Sequence, residues 1–234
     1  MNPNWLKIEN DGERVILKKC SRDAEGEIVI PDGVTAIDDG AFCCCAKITS
    51  IKIPNSVRKI GKFAFDTCDE LSSIEIPDSV KNIKFKAFAD CQHLKKINIP
   101  KNITNLGYSA FASCYSLKSN QIDKNEPKIL AYKGFNEDLS CFYNFKYKVG
   151  ESYHEDKVKV CERGFHACIN PIDILEYYPN KDGNRFALVE LSGTIDCGKF
   201  CCNYWDSKVA ATDIKIIKEL TFQDLIAEFN RLNK

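Results

Sequence analysis

The sequence carries no excess of charge. Lys+Arg and Asp+Glu both number 33, so bulk electrostatics give no reason to expect nucleic acid or an anionic membrane as a partner. It also lacks any run approaching the ~20 apolar residues of a spanning helix. The first residues, "MNPNWLKIENDGERV", have neither the basic nor the apolar region of a secretory signal. Thirteen cysteines without such a signal point to reduced thiols in a cytoplasmic protein rather than to a disulfide framework. Their odd number excludes complete pairing within one chain. What is present is an ordinary balance, 44% hydrophobic and 28% charged, over 234 residues. That is enough for a real core, in one large domain or two small ones.

Residues 30–121 divide without a gap into four units of 23: "IPDGVTAIDDGAFCCCAKITSIK", "IPNSVRKIGKFAFDTCDELSSIE", "IPDSVKNIKFKAFADCQHLKKIN" and "IPKNITNLGYSAFASCYSLKSNQ". Proline recurs at Pro31, Pro54, Pro77 and Pro100, phenylalanine at Phe42, Phe65, Phe88 and Phe111, and cysteine at Cys45, Cys68, Cys91 and Cys114. One such unit cannot bury its own apolar stripe, so each column must stack on its equivalent in the next coil of a solenoid. Proline ends each strand because it brings no ladder donor. The cysteine column reads as a small buried residue at a tight turn.

Residues 5–29 alternate apolar and polar around Asp11-Gly12 and Glu25-Gly26, as a strand pair capping the first coil would. The domain so defined runs over 1–121. The candidate binding face is the outward side of its strands, with Lys52, Glu75, Lys96 and Asn98 among small neighbours such as Ser50 and Ser73. It lacks aromatic anchors. Arg58, Lys59, Lys62, Lys81, Lys84 and Lys86 gather after the strands and read as a solvated face.

The repeat pattern resembles the BspA-type leucine-rich repeat of bacterial, protist and viral proteins. That resemblance implies a short strand around each "SIxIP", with the remainder of each coil returning across the other face. A solenoid of this kind suggests binding, with another protein as the partner.

The repeat fails at "SNQIDKNEPKIL", which places a boundary near 120–128 and a second domain over 127–234. There "KILAYKGF", "KYKVGESY", "KVKVCERGFHAC", "RFALVELSGTI" and "SKVAATDIKIIKEL" read as strands. "NPIDILEYY" has the start signals of a helix, with Asn170 as cap, Pro171 in the first turn and Asp173 in a capping-box position. "TFQDLIAEFNRLNK" closes the chain as a second helix, with Thr221 and Asp224 cap-like. The expected fold class is mixed α/β, a short solenoid followed by a compact α+β domain.

Chemistry concentrates in "RGFHACINPIDILEYY", residues 163–178, which holds one of only three histidines. Cys161, His166 and Cys168 offer three zinc ligands, but the paired knuckle that usually presents two sulfurs to one ion is missing. A zinc-structured domain is the third reading, and no metal site is assigned. Cys168 beside His166 also has the makings of a nucleophile and base, without a nameable orienting residue. The plainest reading is a core strand, with Phe165 and Ala167 on one face and His166 and Cys168 on the other.

The order "YKGF…GFHAC…YY" closely resembles an uncharacterised domain of phage and bacterial proteins. "AYKGF", "GFHAC" with its "EYY" helix, "RFALVELSG" and "DSKVAATDIKIIKEL" also resemble successive landmarks of the ADP-ribosyltransferase fold. The transferase resemblance implies NAD as cofactor. It places Lys133 where an Arg or His grips the NAD ribose and His166-Ala167-Cys168 on the Ser-Thr-Ser strand. Tyr177 or Tyr178 then stacks on nicotinamide, and Asp206 falls near the glutamate that stabilises an oxocarbenium-like transition state. Lys lacks the planar Arg fork, and Asp is one methylene short, so the resemblance fits an inactive relative as well as an enzyme.

Overall fold

Each of the first three 23-residue units adds one rung to both of two parallel ladders, and the fourth adds one to the first ladder among the described residues. The computed structural model describes residues 5–117, 128–141, 145–181, 183–197 and 207–234. The chain falls into two units, one of Met1–Lys118 with Asn230–Lys234 and the other of Ser119–Phe229.

The first unit opens with the hairpin β1 (Leu6–Asn10) and β2 (Val15–Cys20), followed by β3 (Gly26–Val29). The coils then supply β4 (Ala36–Ile37), β5 (Ile48–Lys52), β6 (Lys59–Ile60), β7 (Ser73–Glu75), β8 (Asn82–Ile83), β9 (Lys96–Ile97) and β10 (Asn105–Leu106). One sheet has the order β1-β2-β4-β6-β8-β10 and the other β3-β5-β7-β9. β2 is therefore both a hairpin arm and the first rung, since Ile16 and Leu17 pair in parallel with Ala36 and Ile37. Every coil makes the same residue the same neighbour, as with Ile37, Ile60 and Ile83.

Between the sheets the four phenylalanines form a column. Phe42 and Phe65 have ring centroids 5.0 Å apart, Phe65 and Phe88 4.9 Å, and Phe88 and Phe111 5.4 Å, all nearly parallel. None is more than 2% exposed. Beside them Cys68, Cys91 and Cys114 are buried thiols outside any disulfide. Their thiols donate to the carbonyl oxygens of Phe42, Phe65 and Phe88 at 3.3, 3.1 and 3.1 Å. The column thus selects cysteine for a weak donor as well as for small size.

Two positions in each coil sit in the left-handed region. One series is Gly40, Phe63, Lys86 and Ser109, with φ of 63, 54, 51 and 54°, and the other is Cys44, Thr67, Asp90 and Ser113. They flank the buried phenylalanine and turn the chain sharply on either side of it.

The second unit contains β11 (Lys128–Phe135), β12 (Ser152–His154), β13 (Phe165–Cys168), β14 (Arg185–Asp196) and β15 (Lys208–Leu220), in the order β12-β15-β13-β11-β14, with β14 also paired to β15. The pairings β11–β13, β13–β15, β15–β14 and β14–β11 are all antiparallel, so four strands close into a ring. β14 must bend for this. Its register shifts between Ser192 and Ile195, around Gly193 at φ 73°, where a Cβ would lie 2.1 Å from Asp213 Oδ2. Ala131, Ala167, Ala187 and Ala211 keep the interior narrow, and Val189, Leu191, Val209, Ile214 and Ile216 fill it.

α1 (Phe222–Leu232) starts where the sequence signals it. The Thr221 N–H donates to Asp224 Oδ2 at 2.8 Å and the Asp224 N–H to Thr221 Oγ1 at 3.1 Å, a reciprocal cap. The helix expected over "NPIDILEYY" is corrected to a single 3-10 turn, Asp173–Glu176. Asn170 does cap this turn, its Oδ1 accepting from the Ile172 N–H at 3.2 Å, and Asn170 and Asp173 also bind Ser207. The Asn170 N–H donates to Ser207 Oγ and the Ser207 N–H to Asp173 Oδ2, which ties the turn to the start of β15. The mixed α/β expectation is corrected accordingly: the molecule is mostly β, and α1 is the single α-helix among the described residues. None of these residues forms a helix long and apolar enough to cross a membrane.

Candidate functional site

Period two along β11 puts Lys133 on the same face as Ala131 and Phe135, so its side chain enters the ring interior. Lys133 is 7% exposed. Its Nζ donates to the His166 carbonyl oxygen at 2.8 Å and lies 5.7 and 5.4 Å from the ring centres of Phe135 and Tyr147. Burial holds the amine below the ordinary lysine value, partly offset by the neighbouring Cys141 and Cys168 thiols. Tyr178 reaches the same neighbourhood. Its ring lies flush on Gly134, where a Cβ would be 2.3 Å from Cδ2, and burial followed by Cys141 pushes its hydroxyl up.

Tyr177, by contrast, is exposed, with Lys208 Nζ 3.9 Å from its ring centre. Asp206 lies outside the described residues. A surface depression of about 420 Å³ on this unit is lined by Asp156, Lys159, Glu162 and Arg163 among others, and reaches neither Lys133 nor Tyr178.

Cys161 and His166 remain neighbours, Cys161 through its backbone. Cys161 is disulfide-bonded, against the expectation of reduced thiols, while Cys168 is a buried thiol outside any disulfide. The Cys161 N–H donates to His166 Nε2 at 2.8 Å, which occupies the lone pair a metal would need. Burial, with repulsion from Lys133 and Lys208, depresses His166 to about 4. Among the described residues no group of three or more His, Cys, Asp or Glu is placed to hold a metal ion.

On the solenoid, Lys52, Glu75 and Lys96 stand exposed on the outer face of the four-stranded sheet, with Lys52 paired to Glu27 at 2.9 Å. Asn98 is half-buried. Its amide donates to the Ile76 carbonyl oxygen and accepts from the Ile76 N–H, both at 2.9 Å, so it continues the ladder instead of facing a partner.

A feature that strand alternation does not signal lies at the corner after the six-stranded sheet. Phe63 and Phe85 meet edge to face at 5.2 Å, and Phe85 and Tyr108 at 4.4 Å. Phe63 is 37% and Tyr108 54% exposed. The signal was available in the repeat itself, where Lys62, Phe85 and Tyr108 share one column and Phe63 and Lys86 share the next.

Residues 20–141, more than half of the chain, match the BspA type Leucine rich repeat region in six copies. The chain belongs to the BspA-type leucine-rich-repeat family. Residues 129–228 of this BspA-type chain match a domain of unknown function, DUF7666. No curated protein matches it. Among solved structures it is similar to the leucine-rich-repeat protein TpLRR of T. pallidum, with 30% identity and a TM-score of 0.46, over 50% of this chain and 57% of that one. Leucine-rich-repeat proteins of Bacteroides capillosus and Bacteroides ovatus are similar at 27 and 30% identity, with TM-scores of 0.41 and 0.42. They cover 44 and 50% of this chain and 83 and 39% of theirs. The BspA-type chain thus spans 57% of the length of TpLRR.

Proposed function

We propose that the chain is a protein-binding molecule whose solenoid presents its outer surface to a partner protein. One observation carries this reading. The parallel ladders hold equivalent side chains of successive coils in fixed register, so outward residues form a rigid array rather than independent surface groups. Leucine-rich-repeat proteins generally mediate protein–protein interaction. The test is cross-linking of the full chain in an extract of its source, with mass spectrometry of the joined peptides. Partner cross-links from residues 27–110 support the reading, and cross-links confined to 128–220 overturn it. The triple variant Lys52→Glu, Glu75→Lys, Lys96→Glu then asks whether the four-stranded face takes part.

A second reading for residues 127–234, ADP-ribosyl transfer from NAD or an inactive relative of such an enzyme, rests on the order of the sequence landmarks, and the burial of Lys133 on the His166 carbonyl oxygen favours the inactive relative. Calorimetric titration of the full chain with NAD tests it. Heat that disappears in Lys133→Met supports the reading, and no heat at millimolar NAD removes it.

A further inference from the structure

We propose that the corner formed by Lys62, Phe63, Lys84, Phe85, Lys86 and Tyr108 is a docking site for a short acidic segment of a partner protein that carries apolar side chains. This rests on the reading of the solenoid as a binding module and names the face and the chemistry of the partner.

Adjacent columns present the same two chemistries in opposite order. One reads Asp39, Lys62, Phe85, Tyr108 from coil to coil, and its neighbour Gly40, Phe63, Lys86, Ser109. Across the two middle coils this gives a checkerboard of cations and rings, with Lys86 Nζ 5.6 Å from the centre of the Phe85 ring. Lys59 lies in β6 of the same sheet, with Arg58 and Lys81 just before β6 and β8. Arg58 Nη1 donates to the Asn55 and Val57 carbonyl oxygens and Lys59 lies in the field of Asp38, so the charge offered at the corner to an incoming carboxylate is that of Lys62 and Lys84.

The backbone of Phe63 makes the arrangement more than incidental. Every coil turns left-handed at this position, and at φ 54° Phe63 is the bulkiest side chain held there, where the first coil has Gly40. Solubility and stability both argue for glycine there, and an exposed phenylalanine needs another reason.

Charge complementarity decides the occupant. The patch is bounded by Asp38 and Asp39 in the first coil, and coil four adds no cation in these columns. A segment with a few carboxylates fits, whereas a long polyphosphate would run onto the flanking aspartates. The rings also pack edge to face or tilted against one another, which leaves few open faces for bases to stack on. Strands ~4.8 Å apart set the three coils across ~10 Å, the reach of three or four extended residues.

Fluorescence anisotropy with the full chain tests the proposal. The probes are a labelled peptide of about ten residues alternating glutamate with leucine and tryptophan, its glutamine counterpart, and a single-stranded oligonucleotide of equal charge. We expect the acidic peptide to bind, the glutamine peptide to bind at least ~10-fold more weakly, and added salt to weaken the acidic peptide. The double variant Lys62→Glu, Lys84→Glu should lose ~10-fold or more. Phe63→Gly should lose several-fold while melting no lower than the parent, which separates loss of the ring from loss of the fold. Binding unchanged in these variants, or an oligonucleotide bound more tightly than the peptide, overturns the proposal. A cross-linked partner that depends on Lys52, Glu75 and Lys96 while the peptide fails to bind overturns this site and leaves the solenoid reading standing.

Discussion

In the solenoid every buried side chain has a counterpart one coil away, whereas in the ring each buried side chain is met once. The first unit repeats one solution to packing, with ring on ring and thiol on carbonyl, and its core excludes charge. The second unit closes a few strands around a narrow interior and then admits Lys133 and half-buries His166. A repeated core distributes stability over equivalent interfaces and frees the outer surface to vary. A unique core that carries polar groups concentrates its vulnerability at those groups.

The largest expected effect tests the column. Phe65 stacks on two rings and Phe42 on one. Phe65→Ala should cost ~3–5 kcal/mol, and about 1 kcal/mol more than Phe42→Ala, in urea denaturation. Equal losses would mean that the stack contributes nothing beyond burial.

The next effect is electrostatic and belongs to the ring. His166 is held at about 4 in the folded protein, below its ordinary value of about 6.5. Its contribution is therefore full above pH 6.5 and is lost as pH falls toward 4, because the unfolded chain takes up the proton first. Allowing for its partial exposure, the loss is ~2 kcal/mol. Denaturation of wild type and His166→Gln at a series of pH values should show a smaller acid loss in the variant. Parallel curves would contradict the burial of a neutral imidazole.

The smallest effect concerns the thiols. Cys91→Ala removes the donor to the Phe65 carbonyl and should cost ~1–2 kcal/mol, whereas Cys91→Ser keeps a donor and should cost less. A serine variant no better than alanine would return the column to a matter of size alone.

The same contrast explains what could be read beforehand. The Pro, Ala-Phe and Cys columns are legible because repetition turns weak local preferences into a fixed spacing. The β11, β14 and β15 strands are legible because their apolar and β-prone runs are long. The closure of the ring was not, since it depends on a bend at Gly193 and on β15 pairing along both of its sides. Asn170 and Asp173 have the identity of helix caps, and Asn170 does accept from the Ile172 N–H, but both also hold Ser207, a residue that sequence distance hides. Phe63, Phe85 and Tyr108 escaped for a third reason. Phe63 stands one column from Phe85 and Tyr108, and the left-handed turn that every coil makes there brings the two columns to one corner.

Hydrogen–deuterium exchange of the full chain with and without the acidic glutamate–leucine–tryptophan peptide is the most direct test that a partner is held by the solenoid. Slower exchange in residues 58–64, 81–88 and 104–110 is expected, with the strands of the ring unchanged. Protection confined to residues 128–220, or none anywhere at saturating peptide, would contradict it.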